Sequence, residues 1–446
     1  MKSDRPSSKQ EEAEDSLLRL ASVEGQLRSD KDTSDLRWTV TIGRQGGIAL
    51  LFEPIDLTAE TAWLLKAAFP EGRVLRRFSV TGLTQNGIRV ESDYVYIVAN
   101  KTESDASGTR LILTGDASRL RIAYQALPES SENVVVTYLT VGLRAFGEPS
   151  VETSFGKLTL VGPTEIKDPD HLNARVHIQS NQQIPLTEWL SGCDRLMARV
   201  LDMLSFAEGG LIRWSVRQIE TKEAIVVIDC EGPKGTGPAW DGAFHYLQLQ
   251  PVLDLAVNRY TEERRDQTGL GVALEWFVHH PRYSELQLIA AMTALEHLVS
   301  VFEQKNGSPK ILKPELFAKL LETVRPVWRK TLEEFELPHD LAARMDSKLD
   351  PLNEGNFRDK LKAMLDAYTV PLADLEIQRI NDAVAARNRV IHVGLYRNKE
   401  DEANLQQHVA VLRELLKRIC LTLLQYEGQY FSLLNGPQWT HFPPAA

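Results

Sequence analysis

The stretch EAIVVIDCEGPKGTGPAWDGAFHYLQLQPVLDLAVNRY, residues 223–260, changes texture in its middle. EAIVVIDC is a β-branched apolar run of strand length. EGPKGTGPAWDG then interrupts it with glycine and proline, and FHYLQLQPVLDLAVNRY carries its apolar residues at helical spacing. A β-rich region therefore gives way to a helical one near residue 245. Lys234 and its neighbouring glycines lack the terminal Gly-Lys-Ser/Thr of a phosphate-binding P-loop, so this segment reads as a linker.

Upstream, short β-branched and aromatic runs recur from Leu36 onward, among them LRWTVTI, IRVESDYVYIV, RLILTG, VVVTYLTVGL and ARVHIQ. Such spacing predicts an all-β region, either a sandwich or an open barrel. Asn86-Gly87 is the strongest hairpin signal, expected as a type I′ turn with both residues at positive φ, and Arg44-Gln45-Gly46-Gly47 is a weaker copy. TEWLSGCDRLMARVLDMLSF, residues 187–206, interrupts the strands with one helix that Thr187 is expected to cap. Residues 1–35 are polar except for the amphipathic SLLRLASVEGQL, and read as a mobile tail or a loosely docked helix.

Downstream, SELQLIAAMTALEHLVSVFEQ is the longest helical run, with Ser284 at its N-cap. Further helices are expected over 314–334, 356–369, 373–392 and 401–427. The fold class is α+β and multidomain: a segment over 1–35, a mainly-β domain over 36–243, and an all-α bundle over 244–446.

The chain has 446 residues, which suits two domains, and a formal net charge of -10. That balance argues against nonspecific coating of nucleic acid and restricts any nucleic-acid contact to a local basic patch. Cys193, Cys230 and Cys420 are widely spaced and odd in number, which fits neither a disulfide framework nor a cysteine-rich zinc site. With no apolar secretory core at the start and no run long enough to span a bilayer, the expectation is a cytoplasmic protein without a membrane partner.

AVAARNRVIHVG, residues 383–394, closes the penultimate helix, with Asp374 in its first turn and Gly394 as its stop. His392 near a helix C-terminus meets exposed carbonyls that favour its charged form. Asn388 and His392 share a face, whereas Arg387 and His392 point about 140° apart. From Arg379 to Lys399 the sequence holds five basic residues (Arg379, Arg387, Arg389, Arg397 and Lys399) and one acid, Asp382, so an anion is the expected guest. A guanidinium pairs with phosphate and a histidine exchanges protons with a ribose hydroxyl or leaving oxygen, the minimum for RNA transesterification without a metal or other cofactor.

Arg387-Asn388-Arg389-Val390-Ile391-His392 resembles the Arg-Asn-x-x-x-His motif of HEPN-domain ribonucleases. The resemblance extends over roughly residues 265–430, where LGVALEWFV and LIAAMTALEHLVS look like the leading helices of ApeA-like HEPN proteins, which also carry a β-rich N-terminal domain. It implies an endoribonuclease of bacterial antiphage defence, with an HEPN-like bundle paired in a homodimer and a site shared between the copies. Arg387 and His392 would be catalytic and Asn388 supporting, while Arg379, Arg389, Arg397 and Lys399 would hold the RNA, tRNA being one candidate substrate. The trigger would be phage-derived.

The resemblance also points to Glu296 as an acid facing the motif, with a solvated glutamate as the plain alternative. His297 reads as structural. His279-His280 point apart on a helix and lack an acid at ligand spacing, so no metal site is assigned. Trp38, Trp189, Trp214 and Trp276 read as core anchors. A second reading stays open: an inactive HEPN-type module that holds RNA or dimerises while the β domain senses a ligand or partner. A third, an enzyme within the β domain, finds no paired carboxylates and no nucleophile with its base.

Overall fold

The computed structural model describes residues 16–29, 33–54, 76–105, 108–165, 171–232, 241–279, 281–372, 374–393 and 399–444. Contacts divide the chain into two units, Met1–Asn258 and Arg259–Ala446. The boundary falls later than the expected 243/244, because the helix over 249–258 packs with the β-rich unit. The architecture is α+β, a large antiparallel sheet followed by helices.

In the first unit the elements run β1 (Ser16–Arg28), β2 (Thr33–Gly43), β3 (Ile48–Pro54), β4 (Phe78–Thr84), β5 (Arg89–Asp105), β6 (Gly108–Ala117), β7 (Leu120–Ala123), β8 (Val135–Val141), β9 (Ser150–Thr153), β10 (Gly156–Val161) and β11 (Leu172–Gln179). α1 (Leu186–Glu208), β12 (Trp214–Glu220), β13 (Ile225–Cys230) and α2 (Leu249–Asn258) follow. Hydrogen bonding runs through the strands in the order β4-β1-β2-β3-β6-β5-β7-β13-β12-β8-β11-β10-β9, and β4 also pairs with β5. That extra pairing closes β1, β2, β3, β6, β5 and β4 into a ring. The first half of the sheet is thus a closed barrel, filled by Val23, Leu36, Trp38, Phe52, Phe78 and Leu113, and the second half is an open extension.

Closure depends on a close crossing of β1 and β4, where Gly25 lies opposite Gly82. A Cβ on Gly25 would sit 2.0 Å from the Thr81 carbonyl oxygen, so only glycine fits there.

Residues 16–28 are a barrel strand and not the expected tail or helix. The misreading has a physical cause. Leu20, Val23 and Leu27 stand at helical spacing, but a bulge between Leu20 and Val23, with Ser22 at φ 58°, inserts the residue that breaks the alternation of a strand. The two hairpins differ from expectation in a similar way. Gly87 N–H donates to Thr84 O and only Gly87 has positive φ, so Asn86 sits inside a type I turn and Gly87 forms the bulge after it. Gly43 to Gly47 repeats that geometry, with Gly46 at φ 80°.

α1 begins after Pro185, with Thr187 inside its first turn and no side-chain cap. It is fixed to the extension by Trp189 Nε1 donating to Phe155 O at 2.7 Å and by the Tyr138 hydroxyl donating to Asp194 at 2.7 Å. Trp38 and Trp189 are core residues as expected, whereas Trp276 is exposed and Trp214 lines a cavity. All three cysteines are buried, and burial pushes the Cys230 and Cys420 thiols up to about 12.

The second unit contains α3 (Glu262–Thr268), α4 (Leu270–Phe277), α5 (Ser284–Asn306), α6 (Pro314–Glu334), α7 (His339–Asp346), α8 (Phe357–Ala367), α9 (Ile377–Val393) and α10 (Lys399–Leu423). It ends in a hairpin, β14 (Gly428–Ser432) with β15 (Gln438–Phe442), where the all-α bundle was expected to continue to residue 446. α5 contacts α3, α4, α8, α9 and α10 through residues that include Leu288, Ala291, Leu295 and Leu298. By length and composition α5 could cross a bilayer, but half of that apolar window is buried inside the unit. Tyr283, not Ser284, holds the cap position of α5.

Candidate functional site

α9 is positioned by one apolar stripe. Ile380, Ala383, Val384, Ala386 and Val390 are buried, and the two alanines remove the bulk that would hold α9 away from α5 and α10. The helix starts at Ile377, so Asp374 precedes it and serves another purpose. Arg418 of α10, fully buried, donates to the Pro371 and Leu372 carbonyls at 3.2 and 2.9 Å and to Asp374 at 2.6 Å. It thereby fastens the segment that feeds α9.

Arg418 is itself aimed by Glu414, which accepts from its Nε at 2.9 Å. Glu414 also takes hydrogen bonds from the Tyr430 hydroxyl and from Ser432 Oγ, so the terminal hairpin and α9 are tied to one buried carboxylate. Sequence reasoning missed this network. Its signal was present: Arg413, Glu414, Lys417 and Arg418 interrupt a helix whose neighbours from Val411 to Leu421 are apolar, and all four are buried.

Arg387 extends the α9 stripe towards α5. Its Nη2 lies 2.8 Å from Glu296 Oε1 and 3.1 Å from Oε2, and Nη1 donates to Asn388 Oδ1 at 3.2 Å. The Arg387 side chain keeps 24% of its surface exposed and Glu296 keeps 38%. The guanidinium is thus held at one edge while still reaching solvent, where an anion can meet it. Asn388 and Arg389 are exposed, and Arg379 is half-buried in the first turn of the helix.

The structure brings together Arg387, Glu296 and Asn388. It directs Arg389 elsewhere, towards α10 and His408, whose imidazole is pushed below its usual value first by burial and then by the positive charge of Arg389, with Asp382 pulling the other way. His408 was not singled out in the sequence, since a lone histidine carries no spacing signal. Arg358 of α8 also reaches α9, donating to the Asn381 carbonyl at 3.2 Å. His392 lies in the last turn of α9; its side chain, Gly394, Arg397 and the Lys399 side chain lie outside the described residues.

No family model, curated protein or solved structure matches the chain. The site's chemistry therefore rests on its residues. Among the described residues no three His, Cys, Asp or Glu side chains gather as a metal-holding group. His279 packs edge-on against Trp276 with ring centroids 6.2 Å apart, and His280 lies outside the described residues.

Proposed function

We propose that the helical unit is an HEPN-type, metal-independent endoribonuclease that acts as a homodimer in antiphage defence in the cytoplasm. The observation that carries this reading is the Arg387–Glu296 pair. A motif arginine is half-buried, fixed by a carboxylate from a second helix, and left with an open side. Arg387 also belongs to the run of five basic residues from Arg379 to Lys399 in a chain that is acidic as a whole.

In the proposed reaction a ribose 2′-hydroxyl loses its proton to a base and attacks the adjacent phosphorus. The new 2′-O–P bond forms as the P–O5′ bond breaks, and the departing oxygen takes a proton from an acid. His392 supplies one of these proton transfers, and Arg387 offsets charge on the five-coordinate phosphorus. Arg379, Arg397 and Lys399 would hold neighbouring phosphates, and Arg389, turned towards α10, would meet a more distant part of the same strand. A phage component would be the trigger and RNA, tRNA included, the substrate.

The test is incubation of purified protein with total RNA, with and without EDTA. Cleavage that persists in EDTA and is lost in His392→Ala supports the reading. Intact RNA under every condition, with tight RNA binding retained, supports the inactive RNA-holding module in its place.

A further inference from the structure

α6 is 21 residues long and amphipathic, yet Leu332 is its only buried residue. It packs mainly on α7, where Arg329 is 2.7 Å from Asp346, and Arg325 reaches both Asp346 at 3.6 Å and Asp350 just beyond α7. These ion pairs fix the two helices as a hairpin. On the helical wheel Leu316, Val327, Leu320 and Val324 fall within about 80°, and Phe317, Trp328 and Leu321 occupy about the next 60°. The fold half-buries the second group and leaves the first open, exposing between 39 and 66% of each residue.

Ile311 before the helix and Phe335 after it are exposed as well, at 63 and 72%. Together these six residues leave roughly 700 Å² in solvent, more than the about 300–600 Å² of the largest apolar patch on most monomers and close to the about 800 Å² that a standard interface takes from each partner. A surface of that size and character is an interface without its partner.

The charges around the stripe select among occupants. Between Leu316 and Thr331 every residue in the apolar sector is uncharged, and the rest of α6 sets four basic residues against four acidic ones. That balance gives an anionic lipid surface no net attraction and favours neither a strongly acidic nor a strongly basic partner.

The stripe is, however, complementary to itself. Read along the helix it runs leucine, leucine, valine, valine at residues 316, 320, 324 and 327. A second α6 laid antiparallel about a twofold axis level with Glu322 sets Leu316 against Val327 and Leu320 against Val324, as an isologous contact requires. Each leucine then meets a valine, so all four layers have the same volume, whereas a parallel copy would stack leucine on leucine at one end and valine on valine at the other. The same register brings the Ile311 end of one helix to the Phe335 end of the other.

We propose that this stripe is a homotypic interface, through which two copies of the chain pair by antiparallel α6 helices. It uses no residue of the ribonuclease reading and does not depend on it. The assembly is a dimer, or a tetramer if α9 pairs as well.

Sedimentation equilibrium of the full chain tests the proposal over about 1–100 μM protein. Leu320→Glu and Val324→Glu each place a charge in the seam and should halve the mass of the assembly, whichever its size, with the circular dichroism of the folded chain retained. Cross-linking reads the direction of pairing. The native cysteines are buried, so diamide should trap a Leu320→Cys chain mixed with a Val324→Cys chain as a disulfide-linked pair. A Leu316→Cys chain alone should not link to itself, since its two copies lie about 18 Å apart along the helix axis. The proposal is overturned if either glutamate variant keeps the wild-type mass, or if Leu316→Cys links to itself while the mixed pair does not. A wild type that is monomeric throughout overturns it too, and binding to phosphatidylserine vesicles that Val324→Glu abolishes would then assign the stripe to lipid.

Discussion

Arg387 and Glu296, ninety-one residues apart in the chain, meet with Nη2 2.8 Å from Oε1, across the packed faces of α9 and α5. The carboxylate restricts the guanidinium without covering it. Glu296→Gln keeps an acceptor and removes the charge, and should slow RNA cleavage roughly tenfold with little change in substrate binding. Arg387→Lys should be impaired more, because an ammonium lacks the planar fork. Single-turnover cleavage rates measured beside RNA affinity distinguish these effects from a loss of binding.

His392→Ala should leave the fold intact and reduce cleavage by about 10² to 10⁴. A side chain at a helix end contributes only about 1 kcal/mol to stability. Circular dichroism and an RNA cleavage assay on one preparation check both halves. A folded His392→Ala protein that cleaves at the wild-type rate removes His392 from the mechanism.

Cleavage should leave a 2′,3′-cyclic phosphate or 3′-phosphate and a 5′-hydroxyl. A substrate with a 2′-deoxy sugar at the cut position should resist, because it lacks the nucleophile. Mass spectrometry of the fragments reads the end groups, and cutting at the deoxy position would rule out this chemistry.

An Arg387→Ala chain mixed with a His392→Ala chain should recover part of the activity that each lacks alone. The roughly 140° between the two positions on one helix makes a site shared across a twofold axis the simplest arrangement. Full activity from a strictly monomeric protein across dilution would exclude it.

Arg418→Met should destabilise the second unit by about 3–5 kcal/mol, since Glu414 would keep a buried carboxylate without its guanidinium. Urea denaturation measures the loss. Glu414→Gln combined with Arg418→Met should recover part of it, because no uncompensated charge is then left.

Glu208, buried at the end of α1, gives the first unit a pH dependence. Burial pushes its carboxyl from 4.5 up to about 7, while Arg144, 3.3 Å away, pulls it down. A raised folded value means the contribution to stability is fully present below about 4.5 and lost as pH rises through about 7. The change is on the order of 3 kcal/mol. Denaturation of wild type and Glu208→Gln at pH 4.5, 6 and 8 should show the wild type losing stability relative to the variant.

The sequence by itself determined what local periodicity carries. The switch from strands to helices near residue 245 was legible, as was the span of α6, expected over 314–334 and found there, and so was the placing of Arg387, Asn388 and His392 on one penultimate helix. Each of these depends on neighbours within a turn or two of chain, whose spacing is written in the order of the residues. Tertiary structure alone decided the rest. The barrel closes because Gly25 meets Gly82 across fifty-odd residues, β1 is a strand because β2 and β4 pair with it on its two sides and the pairing with β2 absorbs a bulge, and Asp374 binds Arg418 where its position suggested a helix start. Arg387 found Glu296 in the same way. Pairings of this kind depend on which distant surfaces share a buried space. The free energy that selects them, from packing, desolvation and a matched charge, exists only once the chain has brought those surfaces together.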